Sequence, residues 1–246
     1  MAIDLGTVPK ISVVVLAYRS AETIREFVDQ LIGSLEGCEP DWEIILVGNY
    51  LKGQDDRTPE VVRSIAENNE KIVAITQEKE GMMGWDMKTG LAAARGETIA
   101  VIDGDGQMPY EDVVRVYRKM KEDQCDLAKT FRVRRDDGVY RKILSQTYNF
   151  IFKLLFPGLR CGDMNSKPKI MTRAVYQRMD LRSNGWFIDA EIMIQARRFK
   201  LAIAEIPTSF QRIDYRPSFI KPLVTLDFLA NLLWSRITEC QWWFKP

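Results

Sequence analysis

The segment TIAVIDGDGQMPYED, Thr98 to Asp112, takes an apolar run and ends it in two carboxylates and an amide. Thr98, Ile99, Ala100, Val101 and Ile102 have the composition of a strand buried on both faces. Asp103, Asp105 and Gln107 follow at i, i+2 and i+4, with Gly104 and Gly106 between them. In an extended chain the three polar side chains share a face, and the glycines let the backbone bend and a ligand approach. Two acids this close repel unless a cation or a proton offsets them. Oxygen ligands at such a point suit Mg²⁺ or Mn²⁺, which take one or two protein carboxylates and fill the remaining positions with water and substrate phosphate. A metal-diphosphate site is the economical reading, and a polar turn with helix-capping acids is the alternative.

Other chemistries fit less well. A calcium loop of the EF-hand type needs Gly at its sixth position and Glu at its twelfth; counted from Asp103 these are Met108 and Val114. A phosphatase of the haloacid dehalogenase type has a similar strand-end DxDG, but on its first strand and followed by Thr or Val rather than Gln. The chain has no histidine, which excludes Ser-His triads, His-metal sites and imidazole bases. Four isolated cysteines, without a Cys-x-x-Cys pair, argue against zinc and disulfides and for a reducing cytoplasm. Lys plus Arg (35) balances Asp plus Glu (34), so no global field favours nucleic acid. The start, MAIDLGTVPK, lacks the form of a signal peptide, and no run of 18 apolar residues occurs.

The elements that must position the acidic cluster are readable around it. ISVVVLAY (Ile11 to Tyr18), WEIILVG and KIVAIT read as strands before the one that ends at Asp103. Between them, Ser20 is placed to cap a helix through Ile24, Phe27, Val28, Leu31, Ile32 and Leu35. Thr58-Pro59-Glu60 opens a second helix, and a third runs from Gly84 to Arg95. Strands alternating with helices predict an α/β, mostly parallel sheet with right-handed crossovers, in which ligands sit beyond the carboxyl ends of the strands. A helix from Tyr110, a strand in CDLAKTFRV, a long helix from Val139 to Phe156, a helix in FIDAEIMIQARRF and a late strand in LAIAEIPTSFQR complete an elaborated C-terminal half; FPGLRCGDMNSKPKIMT between them has loop and short-strand character. We assign residues 1–217 to one domain.

Residues 218–246 are different. Asp227, Asn231, Ser235 and Glu239 recur every four residues and make a narrow polar stripe on an otherwise apolar helix, with Trp242, Trp243 and Phe244 at its end. Such a helix either packs on the domain or lies in a bilayer interface, making the protein peripheral on a membrane.

Taken together, these residues resemble the family-2 glycosyltransferases of GT-A fold, nearest to the dolichol-phosphate mannose synthases and polyprenyl-phosphate glycosyltransferases. GLAAARGETIAVIDGDGQMPYEDV is similar to that group's helix, ARG turn and DADLQHPPE segment. FRV, RKILSQTYN, CGDMNSKPKIMTR, GWFIDAEI and IAEIPTSFQR follow in the family's order, so the likeness runs over roughly Ile11 to Ser218. It implies an inverting transfer from a nucleotide-sugar donor to a polyprenyl phosphate or another lipid or saccharide acceptor. It also implies that Asp105 and Gln107 hold the metal, while Asp103 contacts the nucleotide or assists the metal. Ala17, Tyr18, Asn49 and Gly104 would line the nucleotide. Arg132, Arg141 and Arg212, with Arg216 competing for the last position, would surround the phosphates, for which a guanidinium fork is suited. A hydroxyl acceptor needs a base and a lipid phosphate does not; Asp189 is the choice for base or acceptor-orienting residue, with Glu191 the other candidate.

The departures from the family are local. LAYRS replaces the usual PxYNE, leaving Ser20 where an acid touches the nucleotide unless Glu22 substitutes. VGNYLKGQDD replaces VDDxS, which puts Asn49 where an acid often reads the base, and an amide permits several bases. These altered loops motivate one further alternative, a catalytically idle nucleotide-binding scaffold.

Overall fold

The computed structural model describes residues 8–135, 139–159, 161–210 and 222–243; for 134–135, 139–145, 222–227 and 240–243 it describes the backbone alone. The first half alternates as its periodicity predicts: β1 (Ile11–Leu16), α1 (Ile24–Glu36), β2 (Trp42–Val47), α2 (Thr58–Ala66), β3 (Ile72–Ile75), α3 (Met83–Ala93) and β4 (Thr98–Asp103). The second half comprises α4 (Glu111–Asp123), β5 (Leu127–Arg135), α5 (Val139–Leu155), β6 (Lys169–Thr172), α6 (Arg173–Arg178), α7 (Ile188–Arg198), β7 (Ile203–Phe210) and α8 (Pro222–Trp243). They build one mixed sheet in the order β3-β2-β1-β4-β6-β5-β7. β6 runs antiparallel to both β4 and β5, and the other pairings are parallel.

The central strands β1, β2 and β4 are mostly apolar because both their faces are covered. Successive residues alternate between two cores. Val13, Val15, Ile44, Leu46, Ala100 and Ile102 face the core beneath α1, α2 and α4. Val14, Ile45, Val47, Ile99 and Val101 face the one beneath α3, α5 and α7. The predicted apolar stripe of α1 is buried at Ile24, Phe27, Val28, Leu31 and Leu35.

The helix starts more irregularly than its sequence suggests. Ser20 is not the cap of α1, which begins after Thr23; the Ser20 hydroxyl donates to the Tyr18 carbonyl, and its N–H donates to Thr58 Oγ1 at 2.9 Å. That bond ties the loop after β1 to the start of α2. The amino end of α3 is seated on the loop before α7, with Met82 N–H on Asn184 O at 2.8 Å and Gly84 N–H on Gly185 O at 3.0 Å. A side chain at Gly84 would stand 2.5 Å from the Ser183 carbonyl, so only glycine allows this approach, and the approach fixes where α7 begins.

Helix α8 joins the domain through Glu239 and through the apolar residues Phe228 and Leu232. Glu239 accepts from Arg197 at 2.9 Å and from Arg236 at 3.1 Å, and Phe228 meets Tyr148 of α5 edge-on at 4.4 Å between ring centroids. Leu232 is fully buried, whereas Leu233, Trp234 and Ile237 are exposed, as are Phe150 and Leu154 of α5. No helix among the described residues is long and apolar enough to cross a membrane.

Candidate active site

β1, β2 and β4 end level with one another, Leu16 standing opposite both Val47 and Asp103. The residues just past these ends therefore share the carboxyl edge of the sheet: Ala17 and Tyr18, Gly48 and Asn49, and Gly104 to Gln107. This is the edge where open α/β sheets receive ligands.

The turn after β4 is built for its sequence. Gly104 N–H donates to Leu16 O at 2.8 Å, and a Cβ there would lie 2.6 Å from Ile24 Cδ1 and 2.8 Å from Val15 Cγ1. Its glycine is thus required by packing against α1 and β1. Gly106 supplies the positive φ, +75°, that turns the chain, and Asp105 Oδ1 accepts from Gln107 N–H at 3.0 Å. Among the described residues no group of three or more His, Cys, Asp or Glu side chains could cage a metal. What the turn offers is a half-buried carboxylate and a half-buried amide oxygen. Such an incomplete oxygen set suits Mg²⁺ or Mn²⁺ completed by substrate phosphate, and not a cation that needs an all-protein cage.

Asp103 is engaged by a lysine. Lys167 Nζ donates to Asp103 Oδ1 at 2.8 Å and Oδ2 at 3.0 Å, and stands 3.4 Å from Asp189 Oδ2. Lys169, two residues on, donates to Asp189 Oδ1 at 2.5 Å and to the Ser166 carbonyl at 3.0 Å. Opposite it in register, Lys129 donates to Glu205 Oε1 at 2.8 Å and to the carbonyls of Thr130 and Asp163. All three lysines are buried. Charges in such a place persist only when paired. Burial pulls Lys167 down, but Asp103 and Asp189 hold it above the ordinary lysine value. Burial lowers Lys169 to about 8 against the pull of Asp189, with Lys129 and Lys167 adding to the fall. Burial favours the neutral form of Asp189, yet Lys167 and Lys169 keep its carboxyl below the usual range.

Asp189 therefore sits in the first turn of α7, 2% exposed, as an ionised anchor between two ammonium groups. A base needs a proton affinity raised toward the working pH, and this environment does the reverse. Glu191, the other candidate, holds the backbone amides of Arg182 and Ser183, each at 3.0 Å.

Arg132 forms a fork on Asp163, Nε to Oδ2 at 2.5 Å and Nη2 to Oδ1 at 2.8 Å, and lies over the Phe210 ring. Asp163 is nearly buried; burial would raise its carboxyl, but Arg132, Lys129 and Lys169 bring it well below the ordinary value. Asp163 and Asp189 both bind protons more weakly folded than unfolded, so the unfolded chain takes up more protons in acid and stability rises with pH there. Their contribution is complete above about pH 4, the unfolded carboxyl value, and falls away below it. Denaturant titrations at pH 7 and pH 3 should show a smaller loss for Asp163→Asn than for the natural chain; equal losses would contradict this.

Arg141 lies on α5 with its side chain outside the described residues, and Arg212 and Arg216 lie outside them altogether. The Tyr18 hydroxyl is 3.0 Å from Gln54 Oε1, and Lys79 Nζ stands 4.1 Å from the centre of its ring. The Asn49 amide is turned inward: its nitrogen donates to Asp86 Oδ1 at 2.9 Å, and its oxygen accepts from Gln77 N–H at 2.8 Å. Asp86 is in turn paired with the buried Lys79; burial raises its carboxyl, and Lys79 and Asn49 oppose that rise. Asn49 thus shapes the loops beside the strand ends, and a hydrogen bond from it to a base would have to compete with both partners. The sequence reading passed over the lysines and this inner pair. The available signal was SKPK, where one lysine stands two residues before a short strand and the second opens it, ahead of the apolar Ile170 and Met171.

Comparison with known proteins bears on the family and the fold. The chain is 25% identical over 239 residues to glycosyltransferase AglD of Haloferax volcanii, covering 93% of this chain but 38% of that one. It is 25% identical over 240 residues to the undecaprenyl-phosphate 4-deoxy-4-formamido-L-arabinose transferase of Salmonella paratyphi A, covering 96% of this chain and 68% of that one. The chain thus spans well under half of the first relative and about two thirds of the second. Among solved structures, glucosyl-3-phosphoglycerate synthase of Mycobacterium tuberculosis with uridine diphosphate superposes with a TM-score of 0.70 at 23% identity, over 93% of this chain and 80% of that one. Mannosyl-3-phosphoglycerate synthase of Rubrobacter xylanophilus gives 0.68 at 16% identity, over 94% and 73%. These neighbours share the GT-A fold. The model of glycosyl transferase family 2 matches residues 12–184, most of the chain and all of the strand ends described above, and the chain belongs to that family.

Proposed function

We propose that this glycosyltransferase moves a sugar from a nucleotide-sugar donor to a polyprenyl phosphate, with inversion at the anomeric carbon. The observation that carries the reading is the level ending of β1, β2 and β4, which sets Asp105 and Gln107 on the sheet edge beside Tyr18. Asp105 and Gln107 would hold Mg²⁺ or Mn²⁺, which when bound offsets charge gathering on the departing nucleoside diphosphate. A further structure of the Mycobacterium tuberculosis synthase, in complex with Mn²⁺, uridine diphosphate and glucosyl-3-phosphoglycerate, supports this choice of metal and of leaving group. In the transfer the bond from the anomeric carbon to the donor phosphate breaks, its electron pair leaves with the diphosphate, and an acceptor oxygen bonds to the opposite face. Arg132, Arg141 and Arg212 are assigned to the phosphates, with Arg132 held in place by Asp163.

The acids support this choice of acceptor. Asp189 is locked between lysines and Glu191 is occupied by backbone amides, so neither is placed to take a proton from a hydroxyl. A phosphate monoester arrives as an anion and needs no such base. The Salmonella relative, named for an undecaprenyl-phosphate acceptor, points the same way. The purified chain with Mn²⁺ and a panel of nucleotide sugars should form a prenyl phosphosugar when given polyprenyl phosphate, and little product with 3-phosphoglycerate. Transfer to 3-phosphoglycerate alone, or none to the prenyl phosphate with any donor, would refute the reading.

A lipid acceptor calls for contact with a bilayer surface, and helix α8 supports one. Glu239 of its polar stripe is turned to Arg197 of the domain, while Leu233, Trp234 and Ile237 are exposed, an apolar patch suited to a bilayer interface. Changing these three exposed residues to glutamate should leave the fold intact and remove co-sedimentation with phospholipid vesicles. Unchanged co-sedimentation would rule out this face.

A further inference from the structure

Lys167 decides what Asp103 can do. Its ammonium is buried and held from several sides, by both oxygens of Asp103, by Asp189 Oδ2 at 3.4 Å and by Met83 Sδ at 3.1 Å. Its backbone is fixed as well, because the Thr130 hydroxyl bonds to the Lys167 carbonyl at 2.7 Å and to the Ser166 hydroxyl at 2.6 Å. A cation anchored this way cannot swing clear when a ligand arrives. Asp103 is one-third exposed, so its outer lone pairs still reach the site, but its charge is already matched. A carboxylate in that state accepts hydrogen bonds from neutral hydroxyls readily and gains little from a second cation placed beside the first, since the two cations repel.

We propose that Lys167 divides the labour of the two aspartates: it withholds Asp103 from the metal and keeps it as a hydroxyl acceptor for the donor, leaving Asp105 and Gln107 as the protein's ligands to the cation. The inference rests on the metal reading given above. It implies that the chain alone grips a divalent cation weakly, because one carboxylate and one amide make a small part of a full shell, and that the nucleoside diphosphate supplies the remainder.

The test uses Mn²⁺ alone, titrated into the full chain and followed by electron paramagnetic resonance. Lys167→Met removes the ammonium and leaves Asp189 paired with Lys169; it is expected to tighten Mn²⁺ about tenfold or more by releasing a second carboxylate to the ion. Adding Asp103→Asn to that variant should return the affinity to the natural level. If Lys167→Met does not fold, Lys167→Gln, which keeps a neutral donor, should show the same direction with a smaller gain. An unchanged or weaker affinity in the lysine variant overturns the proposal, and so does a gain that survives Asp103→Asn, which would be plain electrostatics. Repeating the natural chain's titration with a set of nucleoside diphosphates separates the two levels: no Mn²⁺ uptake even then refutes the metal reading itself.

Discussion

Asp105→Ala is expected to lower metal-dependent sugar transfer by roughly 10²–10³-fold, the scale seen when one preorganised group opposite a developing charge is removed. Asp105 is only half-buried and its side chain caps its own turn through Gln107 N–H, so the fold should hardly notice. We expect a change in stability of about 0.5 kcal/mol or less, as for surface positions generally. Rates at saturating donor, with thermal unfolding recorded on the same samples, check both halves. A rate within a few-fold of the natural chain would show that the end of β4 is not where charge is offset. A collapse of stability would show that its acids are structural.

Asp189→Ala should be the most damaging single change to the fold. Among the described residues it strips Lys169 of the carboxylate it is paired with and leaves Lys167 paired with Asp103, in a region also holding the ammonium of Lys129. Removing one partner of a buried ion pair costs about 3–5 kcal/mol, because the other charge is stranded. For a chain of this size that lowers Tm by about 10 °C. The double change Asp189→Leu with Lys169→Met should recover most of the loss, since a buried pair can be exchanged for apolar groups at small cost. If Asp189→Ala leaves Tm unchanged, the lysines are not held as described. If the double change is worse than the single one, the pair contributes more than compensation of charge.

Much of the molecule was legible in the sequence, for physical reasons that also mark where the reading stopped. β1, β2 and β4 are buried on both faces, so each declares itself as a mostly apolar run, interrupted in β1 and β2 by Ser12 and Glu43, and α1 declares itself by spacing. The acidic turn was legible because charge at the end of such a run has no packing purpose. β6 was not resolved from its surroundings: it is four residues long and set in a stretch of loop character, yet it is the strand that turns the sheet antiparallel and carries Lys169 into the core. The lysines escaped notice because a lysine is almost always a surface residue, and only tertiary pairing makes Lys129, Lys167 and Lys169 interior ones. Asp189 was read as a base or acceptor-orienting residue, but its partners Lys167 and Lys169 come from β6 and the segment before it, distant in sequence, and could not be read beside it. Asn49 is similar: its position was readable, and its inward bonds to Asp86 and Gln77 were not. The arginines assigned to phosphate depend on the C-terminal half, where Arg212 lies outside the described residues.

The most direct test of the central claim is the cation dependence of the transfer itself. The purified chain is stripped with a chelator and assayed for prenyl phosphosugar as Mn²⁺ or Mg²⁺ is returned. The account predicts background rates without the ion and full recovery with it. Transfer at an undiminished rate in the presence of the chelator would contradict it.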